Sequence, residues 1–140
     1  MSDKQRVLIL CTGNSARSQM AEGLLRDLAS DEIEAFSAGV APTIVRPEAI
    51  EALAEIGIDI SQHRSKSVDE FLGQDFDYVI TVCDNANEHC PLFPGETKRI
   101  HWSFTDPAAV AGDHEVRLAA FRTVRDQIAE RLRQFLDEQD

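Results

Sequence analysis

Basic residues are scarce in this chain: 14 lysines and arginines stand against 25 aspartates and glutamates, a net charge of −11. That field repels nucleic-acid phosphates and anionic membrane surfaces at long range, so neither is an expected partner. An anionic ligand would need a local positive site strong enough to overcome the global field. Long apolar runs are missing as well. The N-terminal run ends at Cys11 after about five residues, too short for a signal sequence or a membrane span, and a cytosolic protein is expected. Cysteine is sparse, at three. In a reducing compartment that excludes a structural disulfide framework and leaves metal binding, catalysis or redox chemistry. No repeat period or low-complexity tract points to a solenoid or to disorder. At 140 residues, a single domain over 1–140 and a monomer are expected.

What is present reads as alternating strands and helices. Residues 6–10, RVLIL, are a continuous apolar run suited to a fully buried strand, and 18–30 carry Met20, Leu24, Leu25 and Leu28 at helical spacing. A second strand is expected over 33–39. Residues 46–58 open on Pro47 and close near Gly57, the pattern of a helix start and stop. Residues 68–73 suit a short helix, 77–83 and 97–104 two further strands, and 115–136 a long C-terminal helix with Phe121, Val124, Ile128, Leu132 and Phe135 on one face. Strand-helix alternation implies a doubly wound α/β fold: a four-stranded parallel sheet, order 2-1-3-4, with helices on both faces. Ligands in such sheets bind beyond the carboxyl ends of the strands, where the order reverses. Cys11 and Cys83 would end neighbouring strands about 4.8 Å apart and share one mouth.

The stretch CTGNSARS, residues 11–18, lies between the first strand and the first helix. Loops of this kind turn successive backbone N–H groups inward and hold a tetrahedral oxyanion, with the helix adding its positive end. Gly13 allows close approach, Asn14 tolerates a left-handed backbone, and Arg17 supplies a bidentate cation. Thr12, Gly13, Asn14, Ser15, Ala16, Arg17 and Ser18 are therefore the expected oxyanion-binding residues. The positive field also suits a thiolate nucleophile at Cys11, with the Ser18 hydroxyl in reach of its sulfur.

CTGNSARS resembles the Cys-x5-Arg-Ser phosphate-binding loop of the low-molecular-weight protein tyrosine phosphatase superfamily. CTGNSxRSQMAEG is especially similar to its arsenate reductase branch. The likeness continues through FSAG, EAIEALAEIGIDIS, VITVCDNANEHCP and HWSFTDPA. It implies a Cys11 nucleophile and, at TDPAA, Asp106 as the general acid, in a turn set by Pro107. One departure concerns specificity. Tyrosine phosphatases usually carry tyrosine after Asp-Pro, to stack on an aromatic substrate; here Ala108 stands, which counts against phosphotyrosine.

Cys83 and Cys90 are surplus to phosphoryl hydrolysis, whereas reducing arsenate takes two electrons that a dithiol can supply. The resemblance implies that Cys11 forms a thiol-arsenic adduct, Cys83 attacks the Cys11 sulfur to release arsenite, and Cys90 resolves the Cys11–Cys83 disulfide. Thioredoxin is then the external reductant, with no bound cofactor. If 84–90 is helical when reduced, Cys83 and Cys90 lie about 10 Å apart along the axis, whereas a disulfide spans roughly 4.4 to 6.8 Å between Cα atoms. Oxidation must then unwind that segment, and its residues are weak helix formers ended by Pro91.

A zinc site is not expected, because six residues separate Cys83 from Cys90. In relatives, positions matching Asn14, Ser18 and Ser37 support the loop and one matching Glu22 ligates potassium, but some potassium-binding reductases have an acidic residue where Lys66 stands. The resemblance thus leaves two readings of that place, a potassium ion near Asn14 and Glu22 or the Lys66 ammonium in its stead. His63, His101 and His114 read as structural. The rival readings are a low-molecular-weight phosphatase acting on phosphate monoesters and a non-catalytic thiol redox sensor.

Overall fold

The computed structural model describes residues 4–91 and 93–138; the expected domain, 1–140, extends past these at both ends. Four parallel strands, β1 (Gln5–Cys11), β2 (Ile33–Gly39), β3 (Tyr78–Thr81) and β4 (Lys98–His101), form one sheet in the order β2-β1-β3-β4. Around it run α1 (Arg17–Ala29), α2 (Pro47–Ala54), α3 (Asp84–Glu88) and α4 (His114–Asp137), with 3₁₀ turns at Val68–Phe71 and Pro107–Ala109. The expected topology and the reversal between β2 and β3 around β1 are both present.

Both faces of the sheet are covered, which explains why β1 reads as an unbroken apolar run rather than an alternating one: Val7, Leu8, Ile9 and Leu10 are all fully buried. Residues in register share a face. Leu8, Phe36 and Val79 are in register, and on their side Phe36 packs edge-on against Phe71 and Phe76, capped by the Arg6 guanidinium over the Phe36 and Phe76 rings. Val7, Ala35 and Tyr78 face the other way. There Tyr78 meets Phe135 of α4 with ring centroids 5.0 Å apart, and Phe135 also meets Trp102 just after β4. The 3.6-residue pattern of α4 is realised in full: Phe121, Val124, Ile128, Leu132 and Phe135 are all buried.

Several boundaries differ from the sequence reading, among them the fourth strand, which stops at His101 rather than running to Phe104. The second helix stops at Ala54, not near Gly57, because its last turn tightens: Ile56 and Gly57 bond back three residues, to Leu53 and Ala54, and Gly57 then turns left-handed at φ 83°. Residues 68–71 wind as a 3₁₀ turn capped by Ser67, which accepts from the Asp69 N–H. The third strand ends at Thr81, so Cys83 stands two residues past it rather than closing it. The Val82 N–H still bonds to Leu10 O at 2.8 Å, which carries the alignment of β1 and β3 beyond the strand and keeps Cys83 level with the start of the 12–16 loop.

Candidate active site

The loop from Cys11 to Arg17 is shaped from outside. Its carbonyl oxygens are turned away and bonded to neighbouring chain: Thr12 O accepts from Ala41 N–H at 2.8 Å, Gly13 O from Thr43 N–H at 3.0 Å, and Ser15 O from Arg46 N–H at 2.8 Å. Gly13 O also accepts from the Ser65 hydroxyl at 2.8 Å. Because each trans peptide is planar, an outward C=O turns the next N–H inward, which leaves the amides of 13, 14 and 16 facing a common centre. The start of α1 completes the cradle. Its first turn carries no acidic residue and no side-chain cap, so its free N–H groups are available to an anion.

Cys11 is 2% exposed. Its Sγ accepts from the Asn14 N–H at 3.2 Å and lies 2.8 Å from the Ser18 hydroxyl. Asn14 adopts the left-handed conformation anticipated for it, at φ 48°. Its side chain is held from three sides, donating to Ser18 Oγ and Ser37 Oγ while its Oδ1 accepts from the Lys66 backbone N–H at 2.8 Å. Gln19, fully buried, donates to both Asn14 Oδ1 and Asn14 O. Sequence reasoning passed over Gln19, Thr43, Ser65 and Gly39. Gln19 had a signal, as one of several polar residues on the inner face of α1; the others act through backbone contacts that no spacing reveals.

Gly39 is where β2 passes behind the cradle, and a Cβ there would lie 2.6 Å from Thr12 O and 2.8 Å from Asn14 N. Neither backbone atom can yield without deforming the loop. Gly39→Ala is therefore expected to cost about 1–3 kcal/mol of stability by overpacking and to weaken phosphate binding at least about tenfold, the loss of one or two well-made contacts. Thermal unfolding and phosphate titration of the same variant would measure both effects.

Arg17, at the base of α1, donates to Phe104 O at 3.1 Å, and its Nη2 is 3.8 Å from Asp106 Oδ2. The loop after β4 thus brings the expected acid to the expected cation. Asp106 Oδ1 accepts the Ala108 N–H at 2.9 Å, which orients the carboxyl. Ala108 is packed partly against the core and presents no ring at the position where phosphatases usually stack an aromatic substrate.

Cys83 meets the cradle directly: its Sγ is 3.3 Å from the Thr12 hydroxyl and also accepts the Ala86 N–H of α3 at 3.4 Å. Cys90 lies past the end of α3, half-buried, donating to Pro91 O at 3.5 Å. Burial pushes the Cys90 thiol up from its usual range, with the Arg99 cation opposing in part. All three cysteines are free thiols. Cys11 and Cys83 are thus brought together, and Cys90 is held apart by the intervening helix.

Behind Asn14 is a buried ionic cluster centred on Glu22, which is 3% exposed. The Ser37 hydroxyl donates to Glu22 Oε1 at 2.5 Å; Lys66 Nζ is 3.6 Å from Oε1 and Arg26 Nη2 is 3.0 Å from Oε2. Burial depresses both Lys66 and His63, with Glu22 pulling each back up. The carboxylate already faces two cationic side chains, Lys66 and Arg26, so a potassium ion placed here would meet like charge. The residues present do not fit it. Activity is accordingly expected to be the same, within about twofold, in potassium and in choline salts at equal ionic strength, read as steady-state kcat/KM. Such a match would follow from like-charge repulsion at the site. His63, expected to be structural, bonds Gln19 Oε1 at 3.0 Å, and His114 pairs with Glu51. His101 bridges Thr81 and Asp84. Among the described residues no group of three or more His, Cys, Asp or Glu is placed to hold a metal ion, and no helix is long and apolar enough to cross a membrane.

Comparison with known proteins agrees with this geometry. Residues 6–140 match the family model of the low molecular weight phosphotyrosine protein phosphatases. An arsenate reductase of Halalkalibacterium halodurans is 44% identical over 135 residues, 96% of this chain and 97% of its own. Among solved structures, an arsenate reductase in the phosphate binding state superposes with a TM-score of 0.77 at 31% identity, covering 96% of this chain and 98% of that one. The thioredoxin-dependent arsenate reductase of Corynebacterium glutamicum superposes at 0.71 with 29% identity, over 98% of this chain and 62% of that one. With its cradle, its sheet order and these relatives in agreement, the chain belongs to the low molecular weight phosphotyrosine protein phosphatase family, within its arsenate reductase branch.

Proposed function

We propose that this protein reduces arsenate to arsenite by a cascade through Cys11, Cys83 and Cys90, with thioredoxin returning the dithiol. The observation that carries the reading is the Cys83 sulfur, 3.3 Å from the Thr12 hydroxyl on the rim of an oxyanion cradle that already holds one thiol.

The inward amides and Arg17 bind the arsenate oxygens, and the Cys11 thiolate forms a sulfur-arsenic bond as one oxygen leaves, protonated by Asp106. Cys83 then attacks the Cys11 sulfur. A sulfur-sulfur bond forms, the sulfur-arsenic bond breaks, and the electron pair stays on arsenic, taking it from the +5 to the +3 state. Cys90 attacks Cys83, Cys11 leaves as a thiolate, and the two electrons now missing from Cys83 and Cys90 are supplied by an external dithiol.

Thioredoxin suits that last step because the Cys83–Cys90 bridge would lie on a segment that must open. Six residues separate the two cysteines and five of them form α3, which ends at Glu88 rather than continuing to residue 90; from Cys83 to Glu88 the helical rise alone is about 7.5 Å, with Cys90 two residues further on, and a disulfide accommodates roughly 4.4 to 6.8 Å between Cα atoms. Burial raises the Cys90 thiol above its usual range, which disfavours its thiolate while the segment is closed. Prereduced protein mixed with arsenate and no other reductant is expected to release one arsenite per chain and to lose two thiols. Arsenate left unreduced, with all three thiols still titratable, would refute the proposal.

The cradle does not distinguish arsenic from phosphorus, and with Asp106 beside Arg17 it favours slow hydrolysis of small aryl phosphates as a side activity. The reductase is placed first because hydrolysis has no use for Cys83.

A further inference from the structure

The helix that must unwind is poorly equipped to exist. At five residues α3 is far below the length at which a helix holds itself in water, and Asp84, Asn85 and Asn87 are weak helix formers. Among the described residues, two contacts fasten its first turn. Cys83 Sγ accepts the Ala86 N–H, a bond that a sulfur engaged in a disulfide no longer makes as a free thiol or thiolate. Asp84, the first residue of α3, accepts from His101 Nε2 at 3.0 Å. The other ring nitrogen, Nδ1, is 2.7 Å from the hydroxyl of fully buried Thr81.

The chemistry of the ring makes this a directed link. A carboxylate only accepts, so Nε2 carries the proton toward Asp84, and in the neutral ring Nδ1 accepts from the Thr81 hydroxyl, whose contact with the ring at 2.7 Å is much shorter than its contact with Ile100 O at 3.5 Å. Thr81 ends β3 and His101 ends β4. The imidazole is therefore seated on two strand ends and reaches over to the movable helix. Asp84 itself is 79% exposed, so it is not held in place by packing.

We infer that the His101–Asp84 bond is a latch that holds α3 closed in the dithiol state and thereby positions Cys83 for its attack and sets the thiol-disulfide equilibrium of the Cys83–Cys90 couple. This rests on the reductase reading, and it adds to that reading a pair of positioning residues that take no part in binding the anion. A contact made in one of two states biases the equilibrium toward that state by its own free energy. Drawing Cys83 and Cys90 within disulfide distance unwinds the turn that begins at Asp84, so the bond belongs to the dithiol form. Removing it favours the disulfide.

The test isolates the couple in a Cys11→Ser background and equilibrates it against reduced and oxidised dithiothreitol, with thiols counted by alkylation. His101→Ala and Asp84→Ala are each expected to raise the disulfide-to-dithiol ratio about three- to tenfold, the range of a solvent-accessible charged hydrogen bond, which is a potential about 14 to 30 mV more negative for a two-electron couple. Alanine is the better helix former, so the Asp84→Ala shift runs against its own propensity effect and is not produced by it. In the His101→Ala background, Asp84→Ala should no longer move the ratio toward the disulfide. With Cys11 intact, phosphate affinity and aryl phosphate hydrolysis should stay within twofold of the parent in both variants, as they would not if the loop after β4 had collapsed. Asp84→Ala alone decides the matter if His101→Ala does not fold. An unchanged ratio, or two shifts that simply add, would overturn the latch. A Cys83–Cys90 disulfide that forms at no dithiothreitol ratio would instead overturn the reductase reading beneath it.

Discussion

Cys83→Ser is expected to abolish arsenite release, in a single turnover and with a thioredoxin system present, while aryl phosphate hydrolysis stays within about threefold of the parent protein. The reason is a separation of roles. Hydrolysis needs a nucleophile, a cradle and an acid, all of which survive the change, whereas reduction needs a second sulfur to take the Cys11–arsenic bond apart and leave the electron pair on arsenic. Cys11→Ser should lose both activities. Cys90→Ser should release one arsenite and then stop with Cys11 tied to Cys83, a species visible as the loss of two thiols and as a mass change after alkylation. Undiminished arsenite turnover by Cys83→Ser would mean that an external thiol attacks the Cys11 adduct directly. The position of Cys83 beside Thr12 would then have no part in the reaction.

Arg17→Lys should lower kcat/KM about 10²- to 10³-fold, for arsenate reduction and aryl phosphate hydrolysis alike, the usual cost of removing one well-aimed oxyanion donor. Arg17 uses Nη1 on Phe104 O and directs Nη2 toward Asp106, so one planar group spans the cradle, the loop after β4 and the acid. An ammonium is a point charge and cannot hold all three at once. Parallel losses in the two reactions are the signature of a shared anion site. A loss confined to reduction would place Arg17 in the disulfide steps instead, and a change under threefold in both would remove it from the cradle.

How much of this was legible in the sequence depended on the range over which each feature is decided. The cradle was legible because its parts are consecutive: an apolar run ending in Cys11, Gly13 and Asn14 in the loop, Arg17 at the helix start. The left-handed Asn14 follows from the same local logic. The neighbourhood of Cys11 and Cys83 was reachable one step further out, through strand order, and that held even though β3 stops at Thr81. The stop of the second helix at Ala54 was not legible, since periodicity runs on to Gly57 and the three-residue bonds of Ile56 and Gly57 to Leu53 and Ala54 belong to the folded turn. Ser65 and Gly39 were missed because their partners lie tens of residues away along the chain, whereas Gln19, only five residues from Asn14, was passed over although its partner is near. His101 was read as structural because nothing in its surroundings along the chain marks Asp84 as its partner.

By itself, then, the order of residues determined the sheet, the anion loop and the presence of three thiols with one too many for hydrolysis, since hydrophobic period, turn chemistry and backbone sterics act between near neighbours. Only the tertiary structure decided that Glu22 is already balanced by Lys66 and Arg26, that Gly39 leaves no room behind the cradle, and that a histidine at the end of β4 fastens the first turn of α3. Those outcomes are set by which charges and surfaces meet across the fold, and burial makes such meetings costly to mispair.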